Sequence, residues 1–208
     1  MISIWSVDLH KYYKMPMTHS NVSIHGRKVI LTPYKLEHVD KFVSWYQSKP
    51  LLELMGMEDL DITRESEIVS FESSRDANEV HCFTLLDKDI YDKSQNEVES
   101  MVGDINLYED ADKKSAEITI MVAEESSRRK GFGKPAVIAA CLYARDLLKL
   151  ETIFAKIKKE NLDSKRFFAK MGFTVETSMG DLEKRYVFNL QQLDDLFSEE
   201  LQHLRFIF

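Results

Sequence analysis

Eleven residues concentrate the most evident chemistry: Ser126 to Ala136 read SSRRKGFGKPA, with four cations and two glycines. Successive backbone N–H groups ahead of a helix N-terminus bind phosphate, and nearby cations help. Three phosphate loops share this look. Gly131, Gly133 and Ala136 spell the G-x-G-x-x-A of a dinucleotide turn. That turn, however, leaves its strand at once and opens the first βα unit, whereas here the preceding strand-like run ends near Ala123, eight residues before Gly131. A nucleotide P-loop needs a Ser or Thr after Gly-Lys to hold magnesium, and here Pro135 follows Lys134. The third reading is a loop for the pyrophosphate of an acyl-CoA, R-x-x-G-x-G, on Arg128, Gly131 and Gly133. In that reading Arg129, Lys130 and Lys134 add charge, and the glycines clear space for phosphate. Pro135 enters the first turn of a helix, where a missing N–H costs nothing.

The scaffold for this loop can be read on either side of it. RKVILTPY (27–34) is a short β-rich run stopped by Pro33. Leu36, Val39, Phe42, Val43 and Tyr46 recur at helical spacing, and Pro50 is expected to end that helix. A second helix is expected over about 63–74. VHCFTLL (80–86), MVGDINL (101–107) and AEITIMVA (116–123) read as strands. The polar stretch 87–100 between the first two reads as a long hairpin loop. PAVIAACLYARDLLKL is apolar nearly all round, which predicts a buried helix. TIFAKI (152–157) is a strand, and LDSKRFFAKMGF (162–173) a short helix ended by Gly172. FTVETS and KRYVFNL are the last strands. Leu193, Leu196, Phe197, Leu201 and Leu204 predict an amphipathic C-terminal helix over 191–208. The fold class is α/β: one domain over 26–190 with a single mixed, mostly antiparallel central sheet flanked by helices. Residues 1–25 read as an N-terminal extension.

Downstream of the loop, NLDSKRFFAKMGF (161–173) matches N-x-x-S-x-x-F/L-x-x-x-G-F. Together with R-x-x-G-x-G, in this order and with one helix and one strand between them, it resembles the GNAT (Gcn5-related N-acetyltransferase) superfamily. RKVILTPYKLEHVDKFVSWYQS, MVGDINL and EITIMVAEESSRRKGFGKPAV narrow the resemblance to the N-acetyltransferase 9-like subfamily, over about residues 26–190. The resemblance implies acetyl-CoA as co-substrate. Its pyrophosphate would lie on Arg128 to Lys134, Phe132 included. Its pantetheine arm would lie beside Asn161, Ser164 and Phe168, and its thioester at the strand end Met121, Val122 and Ala123. A backbone N–H near Val122 would serve as the oxyanion donor.

Acetyl transfer to an amine requires a base, because amines are largely protonated near neutrality. Glu117 is the first choice. It lies fourteen residues before Gly131 in an A-E-I run, which resembles the catalytic glutamate of the histone-acetylating branch; burial would raise its pKa. A structural carboxylate is the competing reading. Asp104 and Asn106 are second choices. Many relatives have a Tyr seven residues after the motif Asn, where this chain has Phe168. That residue can stack on the cofactor arm but cannot donate a proton, so either the thiolate leaves unassisted or another group, Tyr186 or else Tyr108, stands in as the acid. Cys141, inside the apolar helix, is expected to be inert.

The bulk numbers exclude several classes. The 208 residues carry a net charge of −7 and a pI of about 5.4, unlike a protein that neutralises nucleic-acid phosphates. No apolar run approaches the roughly 20 residues of a membrane span, and no signal peptide is indicated. Two cysteines, Cys82 and Cys141, without a CxxC, suit a reducing cytosol or nucleus. The six histidines show no zinc spacing, so no metal is expected. The expected acceptor is an amine of a protein or peptide, plausibly an N-terminal α-amine, framed by 36–74 and the strand pair near 178–186. A small-amine acceptor, or an acetyl-CoA-binding interaction module of little turnover, are the alternatives.

Overall fold

The structure is a computed structural model. It describes residues 21–55, 57, 59–111, 114–176 and 183–208, with only the backbone of 54 and 55. In chain order the elements are β1 (Ser23–His25), β2 (Val29–Pro33), α1 (Val39–Tyr46), α2 (Lys49–Met55), α3 (Arg64–Asp76), β3 (Val80–Asp87), α4 (Lys88–Ser94), α5 (Glu97–Ser100), β4 (Met101–Glu109) and β5 (Ser115–Val122). They continue as α6 (Gly133–Asp146), β6 (Thr152–Lys158), α7 (Leu162–Lys170), β7 (Thr174–Glu176), β8 (Glu183–Asn189), α8 (Leu193–Leu201) and β9 (Arg205–Ile207).

Nine strands form one sheet in the order β7-β8-β6-β5-β4-β3-β2-β1-β9. Its pairs are antiparallel except β5 with β6. The mixed, mostly antiparallel α/β fold expected from the sequence is therefore observed. Side chains alternate across each strand. Leu31, Phe83, Leu85, Ile105, Leu107, Ile118 and Ile120 point to one face, where α6 packs on them through Ala136 to Ala144, all buried. That helix is apolar all round because α8 and α7 close over its far side, bringing Leu193, Phe197 and Phe168 into the same core. The opposite face carries Thr84, Asp104, Asn106, Glu117 and Thr119, all buried. Polar side chains under cover point to a site rather than a core.

Several elements differ from the sequence reading. Pro50 does not end the first helix, which stops at Tyr46; it sits in the first turn of α2, a place proline tolerates. The stretch 87–100 is two short helices rather than a loop. Asp87 and Asn96 cap them, their side-chain oxygens accepting N–H groups of the first turns. Those caps were visible in the sequence as ordinary loop polarity. The C-terminal helix ends at Leu201, and Arg205–Ile207 then pairs with Ser23–His25. Each of these strands has three residues, too few to show an alternation. Ile24 is fully buried, so the end of the expected extension is part of the sheet.

Candidate active site

The one parallel pair opens the site. β5 and β6 pair only from Ser115↔Thr152 to Glu117↔Phe154; beyond Glu117 they diverge. Asp110 N–H bonds to the Ser115 carbonyl, and Thr152 N–H to the Lys114 carbonyl. Odd residues of β5 therefore bond to β4, and the N–H groups of Ile118, Ile120 and Val122 turn into the gap. At the mouth, Asp104↔Met121 and Gly103↔Val122 would continue to Val102↔Ala123, yet Glu124 N–H bonds to the Val102 carbonyl instead. One extra residue there bends the strand end. Gly103 permits the close approach, since a Cβ on it would lie 1.9 Å from the Met121 carbonyl oxygen.

The glycine-rich loop follows directly. Arg129 and Gly131 adopt φ of 60° and 81°, so successive N–H groups fold into a concave nest. Among the described residues, the N–H groups of Arg129, Gly131, Phe132, Gly133 and Lys134 donate to no protein acceptor. This is the fit expected of a pyrophosphate cradle at the N-terminus of α6. The side chains divide their roles. Arg129 and Lys130 are exposed. Arg128 instead donates from Nε to the Val122 carbonyl at 3.2 Å and from Nη2 to the Ala123 carbonyl at 2.9 Å, fastening the loop to the strand end. Lys134 pairs with Glu200 of α8 at 2.5 Å. Phe132 is buried in the core beneath Lys28, whose Nζ stands 4.9 Å from the ring centre. Gly133 makes room for α7, because a Cβ on it would meet Phe167 at 3.2 Å. Lys28 is a cation that motif reading missed: its Nζ donates to the Lys130 carbonyl at 2.5 Å, about a hundred residues away in sequence.

On α7, Asn161 is the N-cap, its Oδ1 accepting Ser164 N–H at 3.0 Å. Ser164 and Phe168 are fully buried. Phe168 packs edge-on against Phe167 and Phe173, so it is a core residue and not a stacking surface for a cofactor arm. The side chains of Met121 and Ala123 belong to the core beneath α1, so neither side chain lines the gap.

The polar sheet face lies under α1 and α3, and between them is a cavity of about 380 Å³. Tyr34, Phe42, Tyr46 and Tyr108 wall it, and among the described residues its carboxylates are Asp61, Glu67 and Asp104, with no lysine or arginine in the lining. Asp104 Oδ2 accepts Asn106 Nδ2 at 2.7 Å, while its buried Oδ1 has no partner. Burial pushes Asp104 up to about 7, the bond from Asn106 opposes it and the nearby Glu67 charge adds to it. Burial also raises Glu67, against the bond that Tyr34 Oη donates to it at 2.6 Å. Glu124 ties the roof to the gap by accepting Lys41 Nζ at 3.0 Å and Trp45 Nε1 at 3.3 Å.

Glu117 lies at the root of the gap. Its Oε2 accepts Lys156 Nζ at 2.6 Å, and its Oε1 is buried and unpartnered. Burial raises its pKa and Lys156 pulls it back. It does not line the cavity. Tyr186 is one residue from Val187, the neighbour of Phe154 and hence of Glu117 in the sheet, so its side chain points to the opposite face. There it is buried in the α6 core, and burial raises its pKa. The structure does not bring Glu117 and Tyr186 together. Tyr108, next to Glu117 on the polar face, does reach the cavity. Cys141 is buried in the core, and burial pushes its thiol up to about 12. Of the expected acceptor frame, residues 177–182 lie outside the described residues.

One cluster has ligand-like spacing: atoms of Glu37, His38 and Glu97 lie within 4.8 Å of one another. Glu97 accepts Lys35 Nζ at 2.6 Å and His38 Nε2 at 3.0 Å. Burial raises Glu97, but these bonds outweigh it and hold it at about 2. The cluster pins α5 beneath the entry to α1.

Residues 28–174 match the family model described as an acetyltransferase (GNAT) domain. An N-acetyltransferase 9-like protein of Nematostella vectensis is 39% identical over 160 residues, 75% of this chain and 79% of that one. The Alpha/beta-tubulin-N-acetyltransferase 9 of Drosophila melanogaster is 37% identical over 165 residues, 76% and 81% of the two chains. The chain belongs to the GNAT family. It is an N-acetyltransferase. Among solved structures, this GNAT domain resembles an N-acetyltransferase from Brucella melitensis, with TM-score 0.69, 16% identity and coverage of 93% and 89%. It also resembles a spermidine N-acetyltransferase from Vibrio cholerae in complex with CoA and spermine, with TM-score 0.65, 14% identity and coverage of 84% and 99%. At such identities the likeness concerns the fold.

Proposed function

We propose that the enzyme transfers an acetyl group from acetyl-CoA to an amine of a protein or peptide, the α-amine of an N-terminus being the favoured acceptor. The observation that carries this reading is the cavity over β3 and β4, one strand from the β5–β6 gap, with three carboxylates and, among the described residues, no basic residue in its lining. That field favours a cationic amine, and the tyrosine faces favour both a cation and an apolar side chain. The free N–H groups of Arg129 and of Gly131 to Lys134 support a pyrophosphate there, with Arg129, Lys130 and Lys28 supplying charge. The arm then runs into the gap past Asn161, and the Val122 N–H faces the thioester carbonyl as oxyanion donor. The amine nitrogen attacks that carbonyl, the C–N bond forms and the C–S bond breaks. The thiolate, with a pKa near roughly 8.5, leaves without a dedicated acid, which suits a site where Phe168 is buried. The name that two relatives carry, Alpha/beta-tubulin-N-acetyltransferase 9, supports a protein acceptor. Two free cysteines suit work in the cytosol or nucleus.

The test is transfer from labelled acetyl-CoA to four acceptors: a peptide with a free α-amine, the same peptide with that amine blocked and a lysine present, spermidine, and purified tubulin. The free α-amine peptide and tubulin N-termini should be labelled. Label confined to spermidine or to lysine side chains would overturn the reading.

A further inference from the structure

We propose that Asp104, held by Asn106, takes the proton from the acceptor amine, and that Glu117 serves only to position the strands. The inference rests on the amine-acceptor reading and adds the residue that activates the amine.

Three observations converge on Asp104. The first is reach. Asp104 stands directly across from Met121, the residue between Ile120 and Val122, whose N–H groups turn into the gap on the far side of β5. Cross-strand neighbours have Cβ atoms about 5 Å apart. Glu117 is four residues back along β5, about 13 Å at roughly 3.3 Å per residue. The second is the free oxygen. Asn106 fixes Oδ2 at 2.7 Å and leaves Oδ1 buried with no protein partner, in a carboxylate that lines the cavity. Glu117 also has one free oxygen, Oε1, but its Oε2 holds the Lys156 ammonium at 2.6 Å, an ion pair that stabilises the carboxylate and weakens it as a base. The third is the surrounding charge. The titratable groups facing Asp104 are Glu67 on α3, Tyr34 after β2, Tyr46 on α1, Cys82 on β3 and Tyr108 on its own strand. None is a cation. An ammonium entering the cavity is therefore the first positive charge that Asp104 meets.

The step balances as follows. The ammonium gives one proton to Asp104 Oδ1. The free amine attacks the thioester carbonyl, C–N forms and C–S breaks. The second amine proton leaves with the sulfur as the CoA thiol. Asp104 then returns its proton to solvent.

The test uses acetyl-CoA and a synthetic peptide with one free α-amine, and reads kcat/KM against pH for wild type, Asp104→Asn and Glu117→Gln. Wild type should rise tenfold per pH unit below about 7, the value of Asp104, and bend there. The amine's own ionisation lies higher, near roughly 8, and is located separately by titrating the peptide alone. Asp104→Asn should lose the bend near 7 and fall roughly 100- to 10,000-fold, with acetyl-CoA affinity kept by calorimetry. Glu117→Gln should keep the bend. An Asp104→Asn profile that keeps the bend overturns this inference alone. Wild type that acetylates no free amine overturns the inference together with the acceptor reading. Should Asp104→Asn fail to fold, carboxyl-carbon NMR of the wild type without substrates decides. One aspartate titrating near neutrality supports the assignment, and every aspartate titrating in the ordinary acid range overturns it.

Discussion

Replacing Gly131 with alanine isolates the cofactor nest from everything else in the fold. A Cβ at this position would meet only Lys28 Nζ, at 3.8 Å, so there is room for it. The cost lies in the backbone: φ is 81°, where an L side chain costs about 1–2 kcal/mol. If the empty loop relaxes, that cost appears on binding, as a 5- to 30-fold weaker acetyl-CoA affinity at about 1.4 kcal/mol per decade. If the loop holds its shape, the same cost appears as a melting temperature lower by roughly 2–8 °C, at about 2–4 °C per kcal/mol. The two losses should sum to one strain energy. Gly133→Ala is the counterpart. Its Cβ would press on Phe167 at 3.2 Å, so overpacking of about 1 kcal/mol or more should appear in stability first. Calorimetric titration with acetyl-CoA and thermal melts of both variants make the assay. Gly131→Ala with wild-type affinity and wild-type melting would refute the claim that the nest depends on this conformation.

Phe168→Tyr should not supply a missing acid. The ring is fully buried against Phe167 and Phe173, so an added hydroxyl should cost roughly 1–3 kcal/mol with no gain in turnover; denaturant melts beside rate measurements check both, and a faster enzyme would contradict the burial. Glu97→Gln should weaken the pin under α1. The native carboxyl lies at about 2 against an ordinary 4.5, so its stabilisation is present above 4.5 and is lost as pH falls toward 2. Urea midpoints of wild type and variant should therefore differ near neutrality and converge in acid; a constant difference would refute the sign.

The strand and helix succession was legible because β3, β4, β5 and α6 bury long, regular apolar runs, and the loop was legible because glycines and cations are dense there. What escaped was carried by contacts distant in sequence. Lys28 joins the loop from a residue about a hundred positions earlier, and no local pattern marks it. β1 and β9 stabilise one another through three pairs, each strand too short to announce itself. Sequence spacing ranked Glu117 over Asp104 because it counts along one strand; the proposal for Asp104 comes from the pairing of β4 with β5, which sets it across from Met121. Tyr186 had the right chemistry, but strand alternation turns it into the core. Phe168 fits the second motif's spacing, yet its role there is packing.

A structure of the enzyme with a CoA–peptide conjugate, joined through the peptide's α-amine, tests the whole account most directly. The account predicts the pyrophosphate on the N–H groups from Arg129 to Lys134, the arm between β5 and β6, and the amine nitrogen in the tyrosine-walled cavity within hydrogen-bond reach of Asp104. An amine nitrogen lying outside that cavity, or against Glu117 instead, would contradict it.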